Sequence, residues 1–141
     1  MGSRTVLTGV CASEGIVEGQ AFVIPDISRS LPHSIIPEEK TGEEIVRFHE
    51  AVDRSAVQIR ALMERLNDDN KEIFETHLMQ LQDPLIIDET ERIIRQEKVN
   101  AEHAFSKCTE AIRRRLLALE DPYFRERASD LEDVASRVLN N

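Results

Sequence analysis

The 141-residue chain has no tryptophan, and aromatics make up only 4% of it. That leaves no stacking platform for single-stranded nucleic acid. Cations are outnumbered as well: 18 Lys and Arg face 27 Asp and Glu, a net charge of −9. An acidic surface repels phosphate backbones and suits a basic protein partner. No stretch approaches the roughly 18 uncharged apolar residues of a membrane span, and no charged-then-apolar leader opens the sequence. The only cysteines, Cys11 and Cys108, lie far apart in sequence. Without an export signal the expectation is a reduced, cytoplasmic protein, a lone disulfide being the alternative. His33, His49, His77 and His103 form no metal-ligand spacing, and Glu75-Thr76-His77 is not H-E-x-x-H. Nucleophile-elbow, P-loop and dinucleotide glycine patterns are also missing. The chain therefore reads as a binding module with no catalytic residue, metal or cofactor of its own.

Glycine and proline number five each, and most precede residue 43. The early glycines Gly9, Gly15 and Gly19 punctuate a run of β-formers that includes Val6, Val10, Val17 and Phe22. They predict two short strands, near Thr5–Cys11 and Ile16–Ile24, with a turn at Ser13-Glu14-Gly15. Two strands alone are marginal in water, so they read as an edge of a larger domain. Pro25 to Pro37 has the composition of a linker, with three prolines among serines and Asp26.

Helical periodicity then takes over. Thr41 and Glu44 fit a capping box, followed by a stripe of Ile45, Phe48, Val52, Ile59, Leu62 and Leu66 in which Ser55 is the weak position. Asn67-Asp68-Asp69-Asn70 reads as a turn and cap. Asn100 is expected to cap a helix carrying Ala104, Phe105, Cys108, Ala111, Ile112, Leu116 and Leu119, and Arg113-Arg114-Arg115 to complement its C-terminal dipole. Asp121-Pro122 opens the last helix, with Phe124, Ala128, Leu131, Val134, Ala135 and Val138 inward. Short connections between long helices predict a four-helix bundle whose second helix is kinked or broken. The fold class is mainly α, and the layout is a strand stub over 1–25, a linker over 26–37 and a helical subdomain over 38–141.

The break falls inside Lys71 to Leu85, KEIFETHLMQLQDPL. Ile73, Phe74, Leu78 and Leu81 share one helical side, while Glu72, Glu75, Thr76, Met79 and Gln80 fall on the flank or the opposite face. Pro84 has no N–H and stops the helix, and Asp83 can cap the next piece. The corner can be an ordinary proline stop or a docking surface with outward acids and soft apolar side chains. His77 can be a phosphoacceptor or base in principle; without an evident orienting partner it reads as a flank or surface histidine that contacts a partner. Arg127, Asp130, Asp133 and Arg137 can share one face of the last helix, as a solvated charge ladder or as a seat for a neighbouring domain.

Three ordered segments carry a resemblance. Gly9-Val-Cys-Ala-Ser-Glu-Gly15-Ile-Val-Glu-Gly19-Gln-Ala21 is similar to G-x-x-A-S-P-G-x-x-x-G-x-A. Ile73 to Pro84 is similar to I-F-E-A-H-x-M-x-L-x-D-P, and Asp121 to Val134 to D-x-Y-x-x-E-R-x-x-D-x-x-D-V. Together they resemble the N-terminal part of enzyme I of the phosphoenolpyruvate:sugar phosphotransferase system. The resemblance implies that the opening strands belong to a swivelling phosphohistidine α/β domain. It also implies that the helices form the subdomain that docks the phosphocarrier HPr. The parent would be a homodimeric cytoplasmic transferase that moves phosphate from phosphoenolpyruvate through an enzyme histidine to HPr, in sugar transport. The family's G-G-x-x-S/T-H segment does not occur in this chain. Neither does the phosphoenolpyruvate- and magnesium-binding domain, so this chain alone is expected to be inactive. Carried onto matching positions, the docking residues are Asp68, Asp69, Glu72, Glu75, Thr76, Met79, Gln80, Asp83, Leu85, Leu116 and Arg127. Glu14 stands where the family has proline, and Gln80 where it is often apolar. The alternatives are a nitrogen-related enzyme I paralogue with an HPr-like carrier, or a stand-alone helical adaptor.

Overall fold

The computed structural model describes residues 6–11, 14–20, 22 and 31–141, apart from the side chains at 68–70. Five helices follow in order: α1 (Thr41–Met63), α2 (Asp68–Leu81), α3 (Pro84–Glu97), α4 (Ala101–Leu117) and α5 (Pro122–Leu139). α2 and α3 are the two pieces of the expected broken helix. α1, the α2–α3 pair, α4 and α5 pack as a four-helix bundle, with α4 lying most extensively on α5 and α3.

Each boundary has a local cause. Asp83 Oδ1 accepts the Leu85 N–H at 2.9 Å, with Pro84 at the first helical position of α3. Asp121 does the same for Tyr123 at 2.9 Å ahead of α5. α3 ends on Lys98 in the left-handed region, at φ 53°, where its N–H still reaches the Ile94 carbonyl. That conformation costs a residue with a Cβ more than it costs glycine.

The expected capping box at Thr41 does not form. A 3₁₀ turn over Glu38–Lys40 runs straight into α1, so the first amides already lie in a continuous turn. Thr41 Oγ1 donates to the Glu38 carbonyl instead. Glu44, the other half of the box, turns to α4, where its Oε2 accepts the Ala101 N–H at 2.7 Å. Asn100 does stand at the N-cap of α4, but its side chain bonds Ser34, Pro32 and Glu102 and caps no amide of its own helix. Asn67 is the N-cap residue of α2, and Asp68 to Asn70 form its first turn rather than a loop.

The core gathers the predicted stripes. Ile45, Phe48, Val52, Ala56 and Ile59 of α1 meet Ile86, Ile93 and Ile94 of α3, Ala104, Phe105 and Cys108 of α4, and Leu131, Val134 and Val138 of α5. The Phe48 and Phe105 rings sit 5.5 Å apart in a tilted pair. Burying each large apolar side chain contributes roughly 1.5–3 kcal/mol. Ser55, the weak stripe position, is fully buried; its hydroxyl donates to the Ala51 carbonyl and accepts from Asn141. The stripes end sooner than their periodicity suggests. Leu62 is 36% exposed and Leu66 lies beyond the end of α1, while Leu119 lies beyond α4 and is 44% exposed. Ala111 is exposed as well, outside the seam that α4 shares with its neighbours.

The expected strand pair is not formed over the described part of residues 6–22. Thr5, Ala21, Val23 and Ile24, which complete the two predicted strands, lie outside the described residues. Val6, Leu7, Val10, Ile16, Val17 and Phe22 are 79–102% exposed, so they find nothing to pack against. A lone strand pair has no face to bury, which is why β-propensity alone does not produce one here. Residues 31–37 of the proline-rich connector, by contrast, lie along the α3–α4 connection. Ile35 and Val99 form an isolated antiparallel bridge, the Ile36 N–H donates to the Lys98 carbonyl and the Asn100 N–H to that of Ser34. Cys108 is a free thiol in the core. Burial raises the Cys108 thiol pKa above its ordinary range.

Candidate functional site

α2 is the least sheltered helix of the bundle. Only Leu81 and His77 of its described side chains are buried, while Ile73 is 54% and Met79 74% exposed. Of the outer face that sequence spacing assigns to Glu72, Glu75, Thr76, Met79 and Gln80, Glu72, Glu75 and Met79 stand exposed, while Thr76 and Gln80 are half-buried. The Asp83-Pro84 corner then turns the chain so that Leu85, 61% exposed, stands beside that face. The start of α5 and the C-terminal half of α4 close the other side.

The result is a groove of about 410 Å³. It brings together Thr76, Met79, Gln80, Asp83, Leu85, Leu116 and Arg127 from the sequence-derived set. A second recess of about 370 Å³ shares Thr76, Tyr123 and Arg127 with it and adds Glu72, Glu126 and Asp130. Glu75 is exposed on α2 and lines neither recess. Asp68 and Asp69 occupy the first turn of α2, and their side chains lie outside the described residues.

Sequence reasoning missed Ile112, Tyr123 and Phe124, which line the groove. Tyr123 is half-exposed, and its ring lies 5.0 Å from the Arg127 guanidinium carbon. Arg127 Nε also donates to the Tyr123 hydroxyl at 3.0 Å, so the i, i+4 pair holds the arginine along α5. Arg127 thus engages an aromatic neighbour on the helix where the charge-ladder reading emphasised carboxylates. The signal for Tyr123 was present in the motif beginning at Asp121, but its cap-and-helix reading used only Asp121 and Pro122. Gln80 spans to the opposite wall, its Nε2 donating to the Arg127 carbonyl at 3.5 Å.

His77 is not the flank histidine that periodicity suggests. It is 8% exposed, with its ring edge-on to Phe74 and its Nε2 3.8 Å from Asp130 Oδ1 on α5. α2 packs against both α1 and α5, and this second seam covers the His77 side of the helix as well as the Leu78 side. A buried ring cannot contact a docking protein directly, which corrects its expected role as a contact residue. Asp83 also has a role beyond contact, since its carboxylate already accepts the Leu85 N–H.

The chemistry of the site is that of recognition. The groove is lined by Leu85, Ile86, Ile112, Leu116, Phe124 and Leu131, with Asp83 and Arg127 as its charged side chains, and the adjoining recess carries Glu72, Glu126 and Asp130. An apolar groove with a carboxylate-lined recess beside it complements an apolar knob surrounded by basic side chains. Among the described residues, no cluster of three or more His, Cys, Asp or Glu could hold a metal ion. No helix among them is long and apolar enough to cross a membrane.

The family model of the PEP-utilising enzymes, N-terminal, matches residues 8–127. The chain belongs to this family. The phosphoenolpyruvate-protein phosphotransferase of Haemophilus influenzae is 33% identical over 140 residues, which are 96% of this chain and 24% of that protein. The enzyme of the same name from Mycoplasma capricolum is 30% identical over 139 residues, again 96% of this chain and 24% of the relative. The chain therefore spans about a quarter of the length of these curated relatives. The solution NMR structure of an Enzyme I protein superposes with a TM-score of 0.74 at 34% identity, covering 77% of this chain and 46% of that one. The resemblance to enzyme I read from the three sequence segments is borne out. So is the mainly helical architecture with a broken second helix; the strand pair is not.

Proposed function

We propose that this PEP-utilising N-terminal region is the docking element of a phosphoenolpyruvate–protein phosphotransferase, and that its partner is HPr or an HPr-like phosphocarrier. The observation that carries the reading is convergence: seven residues chosen from sequence spacing and resemblance line one groove. Met79, Leu85 and Leu116 supply the apolar contact, with Met79 adapting to the partner's shape. Asp68, Asp69, Glu72 and Glu75 approach along α2 and steer a basic carrier, while Arg127 and Thr76 orient it. Asp83 holds the corner and Gln80 ties its two walls.

In this reading the phosphate passes between a histidine outside this chain and a histidine of the carrier, and no residue here is catalytic. His77 is not the phosphate carrier. The parent enzyme would be cytoplasmic and homodimeric, with magnesium held in a domain outside this chain. Residues 1–25 would belong to the swivelling domain, 26–37 to its connection, and 38–141 to the docking subdomain.

The test is an amide-shift titration of the chain with HPr and, separately, with an HPr-like carrier of the nitrogen branch. Shifts confined to Glu72–Leu85, Leu116 and Tyr123–Arg127 are expected with one of them. The absence of shifts in these segments with both would sink the proposal.

A further inference from the structure

The second place where the molecule concentrates unused chemistry is far in sequence from the docking groove. His33, on the connector, stacks on His103, on α4, with ring centroids 3.9 Å apart and planes 23° from parallel. The stack lies within the set of bonds that fastens residues 31–37 to the bundle. Asn100 Oδ1 accepts the Ser34 N–H at 2.9 Å and its Nδ2 donates to the Pro32 carbonyl at 2.9 Å. The Asn100 and Ile36 amides donate across the same junction at 3.0 and 2.8 Å. These backbone and amide ties are neutral, and the Lys98–Glu38 ion pair lies at the far end of the junction.

We propose that the His33–His103 stack makes this junction a proton-sensitive clasp: neutral rings hold the connector on the bundle, and protonated rings release it. Two imidazolium rings at this separation repel, and at contact distance even water leaves a unit-charge repulsion that shifts an equilibrium roughly fivefold. Among the described residues, the surrounding charges do not offset it. Lys107, one turn along α4, is a third cation beside His103, and the Glu97 carboxylate at the end of α3 is already bound to Lys107 Nζ at 2.6 and 2.8 Å. Glu102 is engaged by Arg47 and Asn100. Burial, then His33 and Lys107, hold the His103 pKa below its ordinary value of 6.5, with Glu97 opposing. A folded-state value below the unfolded one means that the clasp is at full strength above the unfolded pKa and weakens as pH falls below it. The inference is independent of the docking reading.

Amide exchange of the 141-residue chain tests it, with protection factors corrected for intrinsic rates. The Ile36 and Asn100 amides should lose protection about fivefold or more between about pH 7.5 and about pH 5, while α5 amides keep theirs. His33→Phe keeps a ring and removes the charge, and should hold its protection at both pH values. His33→Lys places a fixed charge there and should be loose at both. An unchanged wild-type protection, the same loss in His33→Phe, or full protection in His33→Lys would each overturn the proposal.

Discussion

Glu44 on α1 accepts the Ala101 N–H of α4 at 2.7 Å, so one helix caps the start of another. The same carboxylate bonds Arg47 at 2.7 Å, and Arg47 in turn grips Glu102 through two nitrogens at 2.5 and 2.7 Å. An N-cap usually lies next to the amides it serves. Here 57 residues separate the two partners, so the cap is also a tertiary contact.

That arrangement predicts unequal costs for the two halves of the apparent capping box. Glu44→Ala should lose about 1–2 kcal/mol, since it leaves the Ala101 amide without its partner. Thr41→Ala should lose less than about 0.5 kcal/mol, as a half-buried position whose one local bond, to the Glu38 carbonyl, is exposed. Urea denaturation of both variants checks it, and equal losses would contradict the cross-helix cap.

The Glu102 carboxyl is held well below its ordinary range, at about 2, mainly by the Arg47 hydrogen bonds. Because the folded value lies below the unfolded one, its stabilisation is present above the unfolded value of about 4.5 and is lost as pH falls towards 2. Unfolding free energy should therefore drop across that window. Glu102→Gln should show a smaller drop in the same acid titration while being less stable near neutral pH.

Lys98 offers a test at a single backbone angle. Lys98→Gly should be neutral or stabilising by up to about 1 kcal/mol, since glycine adopts the left-handed region freely and the ion pair lost to Glu38 is exposed. Lys98→Val should cost about 1–2 kcal/mol. Thermal denaturation of the pair separates backbone strain from loss of charge, because both variants remove the same amine.

At the groove, Met79→Ala, Leu116→Ala and Tyr123→Ala should each weaken carrier binding about tenfold, a loss near 1.4 kcal/mol, with little effect on melting temperature for the exposed Met79 and Tyr123 and a lower melting temperature for Leu116, which also packs on the core. Glu72→Lys should slow association and reduce its salt dependence. Calorimetry and stopped-flow kinetics read the two effects. Full binding by all three truncations would remove the groove from the interface.

His77 should stay unmodified. Incubating the chain with phosphoenolpyruvate, complete enzyme I and HPr should leave its mass unchanged, because the ring is enclosed between α2 and α5 beside Asp130. A phosphohistidine at His77 would refute this.

Helix existence and helix breaks were legible because each has a local cause: Asp-Pro pairs at 83–84 and 121–122, and apolar stripes at helical spacing. The partner of each cap was legible only where it is local. Asp83 and Asp121 reach amides two residues ahead, whereas Glu44 reaches α4, which no spacing rule encodes. His77 was misplaced because periodicity ranks a residue against one face, and α2 is covered on two. Tyr123 was missed for the opposite reason. As a helix-start residue it belongs to no stripe, yet the bundle carries it to the groove. The β-rich opening shows where propensity stops, since strands form only when there is a sheet for them to join.

The two Asp-Pro starts flank the same groove, one at Leu85 and the other at Tyr123. Proline fixes its φ and aspartate fixes the first amide, so neither wall depends on a pliable loop. A partner seated there meets main chain that is already in place. The entropy lost on association then falls mostly on the side chains of Met79, Gln80 and Leu85, together with the partner's own, and little is spent on arranging the receptor.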